Sequence, residues 1–153
     1  MKNTSVMLAG VGGQGIISSS DILAEMALAR GYDVKKSEVH GMSQRGGVVT
    51  GFVRYGEKVH SPMPFASKVD YLAAFEELEA LRCAAYIGPS TKVIVNTRRI
   101  KPSTLKDTKD GYPSVKEGLS EKDAVFIDAS AAAKAAGHEK TEGSVILGVL
   151  CAY

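Results

Sequence analysis

Two cysteines in 153 residues exclude several functions at once. Cys83 and Cys151 form neither a CxxC pair nor a disulfide framework, so both are expected as free, buried thiols in a reducing compartment. This chain cannot by itself ligate an ordinary iron–sulfur centre through thiolates. Long hydrophobic runs are also missing. No stretch approaches the ~18 apolar residues of a membrane span, and the start, MKNTSVMLAG, has too short an apolar run and no cleavage region for a signal peptide. The expected location is the cytoplasm, away from membranes. Neither sign of charge dominates: 19 Lys and Arg stand against 17 Asp and Glu, a net charge of +2 that selects for no nucleic acid or acidic surface. GxSxG, a Walker lysine motif, a zinc signature, internal repeats and low-complexity segments are all absent.

What remains is close to average globular usage, 44% hydrophobic and 24% charged residues, in a length suited to one domain. Residues 5–9 (SVMLA) read as a buried strand ending at Gly10, and the apolar residues Ile16, Ile17, Leu23, Ala24, Ala27 and Leu28 then fall near helical spacing up to a stop at Gly31. DVKKSEV (33–39) and VVTGFVRYG (48–56) read as two strands joined by a helix-free loop, which makes them antiparallel. VDYLAAF fits a strand or a helix start. EELEALRCAAYI fits a helix closing at GPS, with Glu76, Glu77 and Glu79 on its exposed face. KVIVN and DAVFIDA are core strands, a short element is expected near residues 115–119, SAAAKAAG is a helix stopped by Gly137, and GSVILGVLCAY begins a last helix. The fold class is α/β, a three-layer α/β/α arrangement with a mixed sheet and a Rossmann-like first βα unit.

Gly10, Gly12 and Gly15 satisfy GxGxxG between a strand and a helix, the context in which glycines give a tight turn, backbone approach to a phosphate and close helix packing. Glu38 lies 23 residues beyond Gly15, where an acid would meet a ribose hydroxyl. A dinucleotide fold needs a crossover helix next, whereas here HGMSQRGGVVTGF leads through a loop into another strand. Two readings stay open: a turn that only permits close packing, or a cradle for an anion or a partner's backbone. Glu38 is expected as a solvated strand residue.

The second constellation, SEVHGMSQRGG, sets His40, Gln44 and Arg45 among Gly41, Gly46 and Gly47, glycines that let a loop fold tightly. Arg45 suits a carboxylate or phosphate, and Gln14 is expected nearby because both loops leave the same edge of the sheet. His40 has no second ligand at metal spacing and no nucleophile to serve, so it reads as a structural histidine bonded to loop backbone. Asp70 and Asp128 sit at strand ends, where they cap or turn the chain, and Lys35 and Lys36 on an exposed edge.

GVGGQG, SEVHGMSQRGG and the strand ending VRYG, continued by VDYLAAFEELEALR, KVIVN and VFIDASAAAKAAG, resemble in order the gamma subunit or domain of 2-oxoacid:ferredoxin oxidoreductases, closest to its indolepyruvate-type members. The resemblance implies a single gamma-type domain over residues 1–153, truncated at its C-terminal end. It implies an accessory subunit without catalytic residues or a metal of its own. Thiamine diphosphate and iron–sulfur clusters belong to a catalytic partner subunit, through which ferredoxin is reached indirectly. The family motif falls on Gly10, Gly12, Gly13, Gln14 and Gly15, and on His40, Gly41, Met42, Ser43, Gln44, Arg45, Gly46 and Gly47, as structural or subunit-contact positions. Family members often carry an asparagine before the last LG helix where this chain has TEGSVILG. Truncation would leave an apolar patch near residues 145–150 exposed and favour self-association. The alternative is an independent oxidoreductase domain that binds NAD or FAD on the glycine loop.

Overall fold

The computed structural model describes residues 3–41, 47–64, 69–101 and 111–153. The strands are β1 (Thr4–Val11), β2 (Asp33–His40), β3 (Val48–Gly56), β4 (Val69–Ala74), β5 (Ile87–Asn96) and β6 (Asp123–Ile127). The helices are α1 (Ile16–Ala29), α2 (Glu77–Arg82), α3 (Val115–Gly118), α4 (Ala129–Ala135) and α5 (Glu142–Cys151). All six strands form one sheet in the order β2-β3-β1-β4-β5-β6. β2, β3 and β1 pair antiparallel, while β1, β4, β5 and β6 run parallel. The sheet is mixed for the reason the sequence indicates: only seven residues separate β2 from β3, too few for a crossover helix, and the two strands pair antiparallel.

Pleating divides the core into two clusters. Val6 and Leu8 of β1, Ala73 of β4 and Ile94 of β5 face α1, α4 and α5, whereas Met7, Ala9, Leu72, Val93 and Val95 face α2 and α3. Helices on both faces explain why the central strands read as continuous apolar runs. α1 buries Ile16, Leu23, Ala24 and Ala27, with Ser19 and Ser20 at closer approaches. Ile17 and Leu28 share its apolar spacing only loosely and emerge 40% and 56% exposed. The helix stops at Gly31, whose φ of +83° lets the Gly31 and Tyr32 amides close back on the Leu28 and Ala27 carbonyls.

Several expectations are corrected. The segment VDYLAAF is a strand, and the following helix ends at Arg82, with a 3-10 turn over Ala84–Tyr86. GPS does not close a helix; it already belongs to β5, because the Thr91 hydroxyl donates to the Val69 carbonyl (2.6 Å) and accepts from the Gly88 amide (2.8 Å), drawing this stretch onto β4. Cys83 is buried as expected but Cys151 is exposed. The apolar stretch of α5 forms no exposed patch: Ile146, Leu147 and Leu150 lie in the core, with Val145 and Val149 packed partly buried against it. Gly143 permits this, since a Cβ there would stand 2.5 Å from the Ser19 hydroxyl of α1.

The largest departure concerns charge. Glu76, Glu77 and Glu79 do not form a solvated helix face; all three are buried at the start of α2. The Glu76 carboxylate caps α2 by accepting from the Glu79 amide (3.1 Å), and also accepts from the Ile100 amide (2.9 Å) and the Tyr112 hydroxyl. Glu77 pairs with Arg99 (2.7 Å) and Glu79 with Arg82 (2.5 Å). One Glu79 oxygen, Oε2, has no hydrogen-bond partner among the described residues. Burial raises the Glu79 carboxyl above its ordinary range, outweighing the nearby Arg82 guanidinium. The folded protein therefore holds this proton more tightly than the unfolded chain does. That stabilising contribution is complete below the ordinary glutamate range and is lost as pH rises through the folded value. In chemical denaturation across pH 4 to 8, Glu79→Gln should lose less stability than the parent over the acidic half of that range. Identical slopes for the two proteins would refute the assignment.

Candidate functional site

The carboxyl ends of β1, β4, β5 and β6 meet at one edge of the sheet, together with the end of β2 and the start of β3. Ligand sites of α/β sheets form at such an edge. The loop leaving β1 is held by several hydrogen bonds, and Gly10, Gly13 and Gly15 each have a steric or backbone reason in the chain itself. A Cβ on Gly10 would stand 2.8 Å from the Gln14 Oε1, 2.9 Å from the Ile16 side chain and 3.0 Å from Phe75, so no larger residue fits. The Gly12 amide donates to the Gly47 carbonyl (2.9 Å), joining this loop to the one before β3. Gly13 and Gly15 have φ of +98° and +81°, the left-handed region that favours glycine, and Gly15 caps α1 in that conformation without a side-chain bond.

Gln14 braces the loop instead of reaching outward. Its Oε1 accepts from the Val11 amide (2.7 Å), and its Nε2 donates to the Phe75 carbonyl at the end of β4 (2.9 Å). The same carbonyl accepts from Asn96 Nδ2 at the end of β5 (3.2 Å), and Asn96 Oδ1 accepts from the Ala129 amide at the start of α4 (3.0 Å). The Phe75 amide in turn donates to the Ala9 carbonyl of β1 (2.8 Å). Two side-chain amides thus tie all four parallel connections together. The sequence offers Gln14 inside a motif, but Asn96 is one asparagine at the end of an apolar strand; only its burial among polar strand ends marks it.

Two clefts flank the loop. One, of about 730 Å³, lies between Gly13, Gly15 and the start of α4, and is lined by Arg98, Lys134, Lys140, Asp128 and Glu142. Much of this charge is internally engaged: Arg98 pairs with the buried Glu142 (2.7 Å), and Asp128 caps α4 by accepting from the Ala131 amide (2.8 Å). The other cleft, of about 640 Å³, is lined by Gly12, Ile16, Ile17, His40, Gly41 and Val49 and is more apolar. His40 is exposed there, at the end of β2, next to the exposed Val39 and Val48. Gly41 donates its amide to the Val48 carbonyl (3.2 Å). Met42, Ser43, Gln44, Arg45 and Gly46, singled out from the sequence, lie outside the described residues.

The acid at dinucleotide spacing does not reach this edge freely. Glu38 sits on the outer strand β2, separated from β1 by β3. Its side chain is only partly exposed and is engaged: it pairs with Lys36 and accepts from the Ser20 hydroxyl of α1 (3.3 Å). Asp70, the other carboxylate at a strand end, holds β1 and β4 together by accepting from the Ser5 amide (2.8 Å). Among the described residues no group of three His, Cys, Asp or Glu side chains is placed to hold a metal ion. The thiolate set of an iron–sulfur cluster does not fit this chain, whose two thiols are one buried on the α2 face and one exposed on α5. Among the described residues no helix is long and apolar enough to cross a membrane. Removing the brace should loosen the site: Gln14→Ala leaves the Val11 amide and one Phe75 acceptor position unmet. It is expected to cost about 2 kcal/mol in denaturant unfolding, with faster amide exchange over residues 10–15. A change below about 0.5 kcal/mol, the range of ordinary surface substitutions, would refute the brace.

Residues 5–153 match the pyruvate ferredoxin/flavodoxin oxidoreductase family. The indolepyruvate oxidoreductase subunit IorB of Thermococcus kodakarensis is 38% identical over 156 residues, covering 98% of this chain and 77% of that protein. The protein of the same name from Methanothermobacter thermautotrophicus is also 38% identical, over 98% of this chain and 79% of its own length. Among solved structures, the pyruvate oxidoreductase subunit PORC of Thermotoga maritima superposes with a TM-score of 0.70 at 21% identity, over 98% of this chain and 75% of that one. A 2-oxoglutarate:ferredoxin oxidoreductase from Magnetococcus marinus superposes at 0.74 and 22% identity, with 98% of this chain covering 24% of that one. The mixed sheet with its braced glycine loops, together with a family match running from Ser5 to Tyr153, places this chain in the pyruvate ferredoxin/flavodoxin oxidoreductase family.

Proposed function

We propose that this chain is an accessory subunit of a 2-oxoacid:ferredoxin oxidoreductase of the indolepyruvate type. The observation that carries the reading is its 38% identity to IorB over nearly its whole length. The complete enzyme converts an aryl 2-oxoacid, coenzyme A and oxidised ferredoxin to an acyl-CoA, carbon dioxide and reduced ferredoxin. Thiamine diphosphate supplies the decarboxylation chemistry and iron–sulfur clusters carry the electrons; both are assigned to the catalytic partner subunit, and ferredoxin meets that subunit. Two features of this chain suit the accessory role. Its site residues hold one another, with Gln14, Asn96, Asp128 and Glu142 all engaged in fixing loops and helix ends. Its apolar cleft, with Ile17 and the exposed His40, Val39 and Val48 beside the joined glycine loops, is a preformed surface for a partner.

Reconstitution tests the proposal. Mixed with a thiamine-containing catalytic subunit from the same source, the chain should form a stable complex and raise turnover of aryl 2-oxoacids with coenzyme A. An Ile17→Asp variant should weaken assembly about tenfold or more, the cost of placing a charge in an apolar contact. No complex and no change in turnover would refute the accessory role. Crowding at Gly10 and the left-handed backbone at Gly13 and Gly15 support a loop shaped by its own packing, so titration with NAD, NADP or FAD should give no saturable micromolar signal; a clear isotherm would favour an independent nucleotide-binding domain instead.

A further inference from the structure

The opposite end of the sheet holds a cavity of about 290 Å³ that the accessory role leaves unused. It lies at the amino ends of β1 and β4, below the last turn of α1, far along the strands from the glycine loop. Four tyrosines from four segments of the chain line it: Tyr32 after α1, Tyr55 at the end of β3, Tyr71 in β4 and Tyr153 after α5. The Tyr32 and Tyr55 rings meet with centroids 5.7 Å apart at 39°, and the Tyr71 hydroxyl donates to the main-chain oxygen of Tyr153 (3.3 Å). Leu23 of α1 and Leu150 of α5 add buried apolar surface. At the exposed rim stands Arg30, the capping residue of α1. Among the described residues no carboxylate forms an ion pair with its guanidinium.

These walls define a ligand chemistry. Phenol rings meeting at an angle offer edge and face contacts to another planar ring. An arginine that no described carboxylate pairs with presents parallel N–H donors that match a carboxylate. The volume is at the lower limit of small-molecule pockets, about 300 Å³, which suits one or two rings and is too small for a dinucleotide. We propose that this cavity binds a small aromatic carboxylic acid, its ring against Tyr32, Tyr55 and Tyr71 and its carboxylate on Arg30.

Cys151 also lines the cavity and is exposed, whereas Cys83 is buried and its thiol is pushed up to about 12 by desolvation. A thiol reagent therefore reports on Cys151 and on the cavity beside it. The test titrates phenylacetate into the 153-residue chain by calorimetry and follows Cys151 modification by an aromatic disulfide reagent. Saturable binding is expected, together with a several-fold slower modification of Cys151 at saturation. Arg30→Gln changes an exposed side chain and should weaken phenylacetate about tenfold, while leaving the weaker binding of neutral phenylacetamide unchanged. No saturable binding, unchanged Cys151 reactivity, or equal affinity of the parent and Arg30→Gln proteins for phenylacetate would each overturn the proposal. The chain is measured alone, so failure here leaves the accessory-subunit reading intact, and failure of reconstitution leaves this one intact.

Discussion

The Phe75 carbonyl, at the end of β4, is the point on which this edge of the molecule depends. It accepts both the Gln14 and the Asn96 side-chain amides while its own residue's amide bonds to Ala9 of β1. Parallel strands end in carbonyls that their own ladder no longer satisfies, and burying those groups without partners costs free energy comparable to a lost hydrogen bond. Here two amide side chains, each donor and acceptor at once, meet that demand and tie together the chain ends leaving β1, β4, β5 and β6. The helix N-termini of α1 and α4 are positioned by the same bonds.

That constraint changes the meaning of the glycine fingerprint. In a dinucleotide site the glycines make room for phosphate. In this chain the room at Gly10 is taken by Gln14, Ile16 and Phe75, and the turn at Gly13 and Gly15 needs the left-handed backbone. The strand beside β1 is the antiparallel β3, with β2 beyond it, so the acid on β2 is two strands away and already bound by Lys36 and Ser20. Gly10, Gly13 and Gly15 thus meet packing and backbone requirements of the chain itself, and the Gly12 amide joins the two loops.

Charge follows the same logic. Buried carboxylates survive only with partners. Glu76 caps a helix and gathers the Ile100 amide and Tyr112 hydroxyl, Glu77 meets Arg99, and Glu142 meets Arg98. These arginines arrive from the single stretch that follows β5, so one short segment neutralises carboxylates on two helices. Glu79 is the exception, one oxygen paired with Arg82 and one left without a partner among the described residues.

The sequence by itself determined most of the order of elements, the antiparallel β2–β3 connection, the helix stops at Gly31 and Gly137, and the cap at Asp128. These are short-range effects: apolar period, glycine backbone freedom and side chains bonding to nearby amides act within a few residues. The proximity of the two glycine loops was legible too, because both leave one sheet edge, and the Gly12–Gly47 bond realises it. Tertiary structure alone decided what those residues touch. The triple glutamate reads as an exposed face because local pattern does not register Tyr112, Arg99 or the Ile100 amide arriving from 22 to 36 residues away. GPS reads as a helix stop until the Thr91 hydroxyl ties it to Val69 at an irregularity of the β4–β5 pairing, Asn96 and Phe75 carry no local signal, and the apolar C-terminal helix reads as uncovered until α1 supplies its partner face. Long-range burial sets the cost of leaving a polar or apolar group unpartnered, and that cost depends on neighbours which only the folded chain brings together.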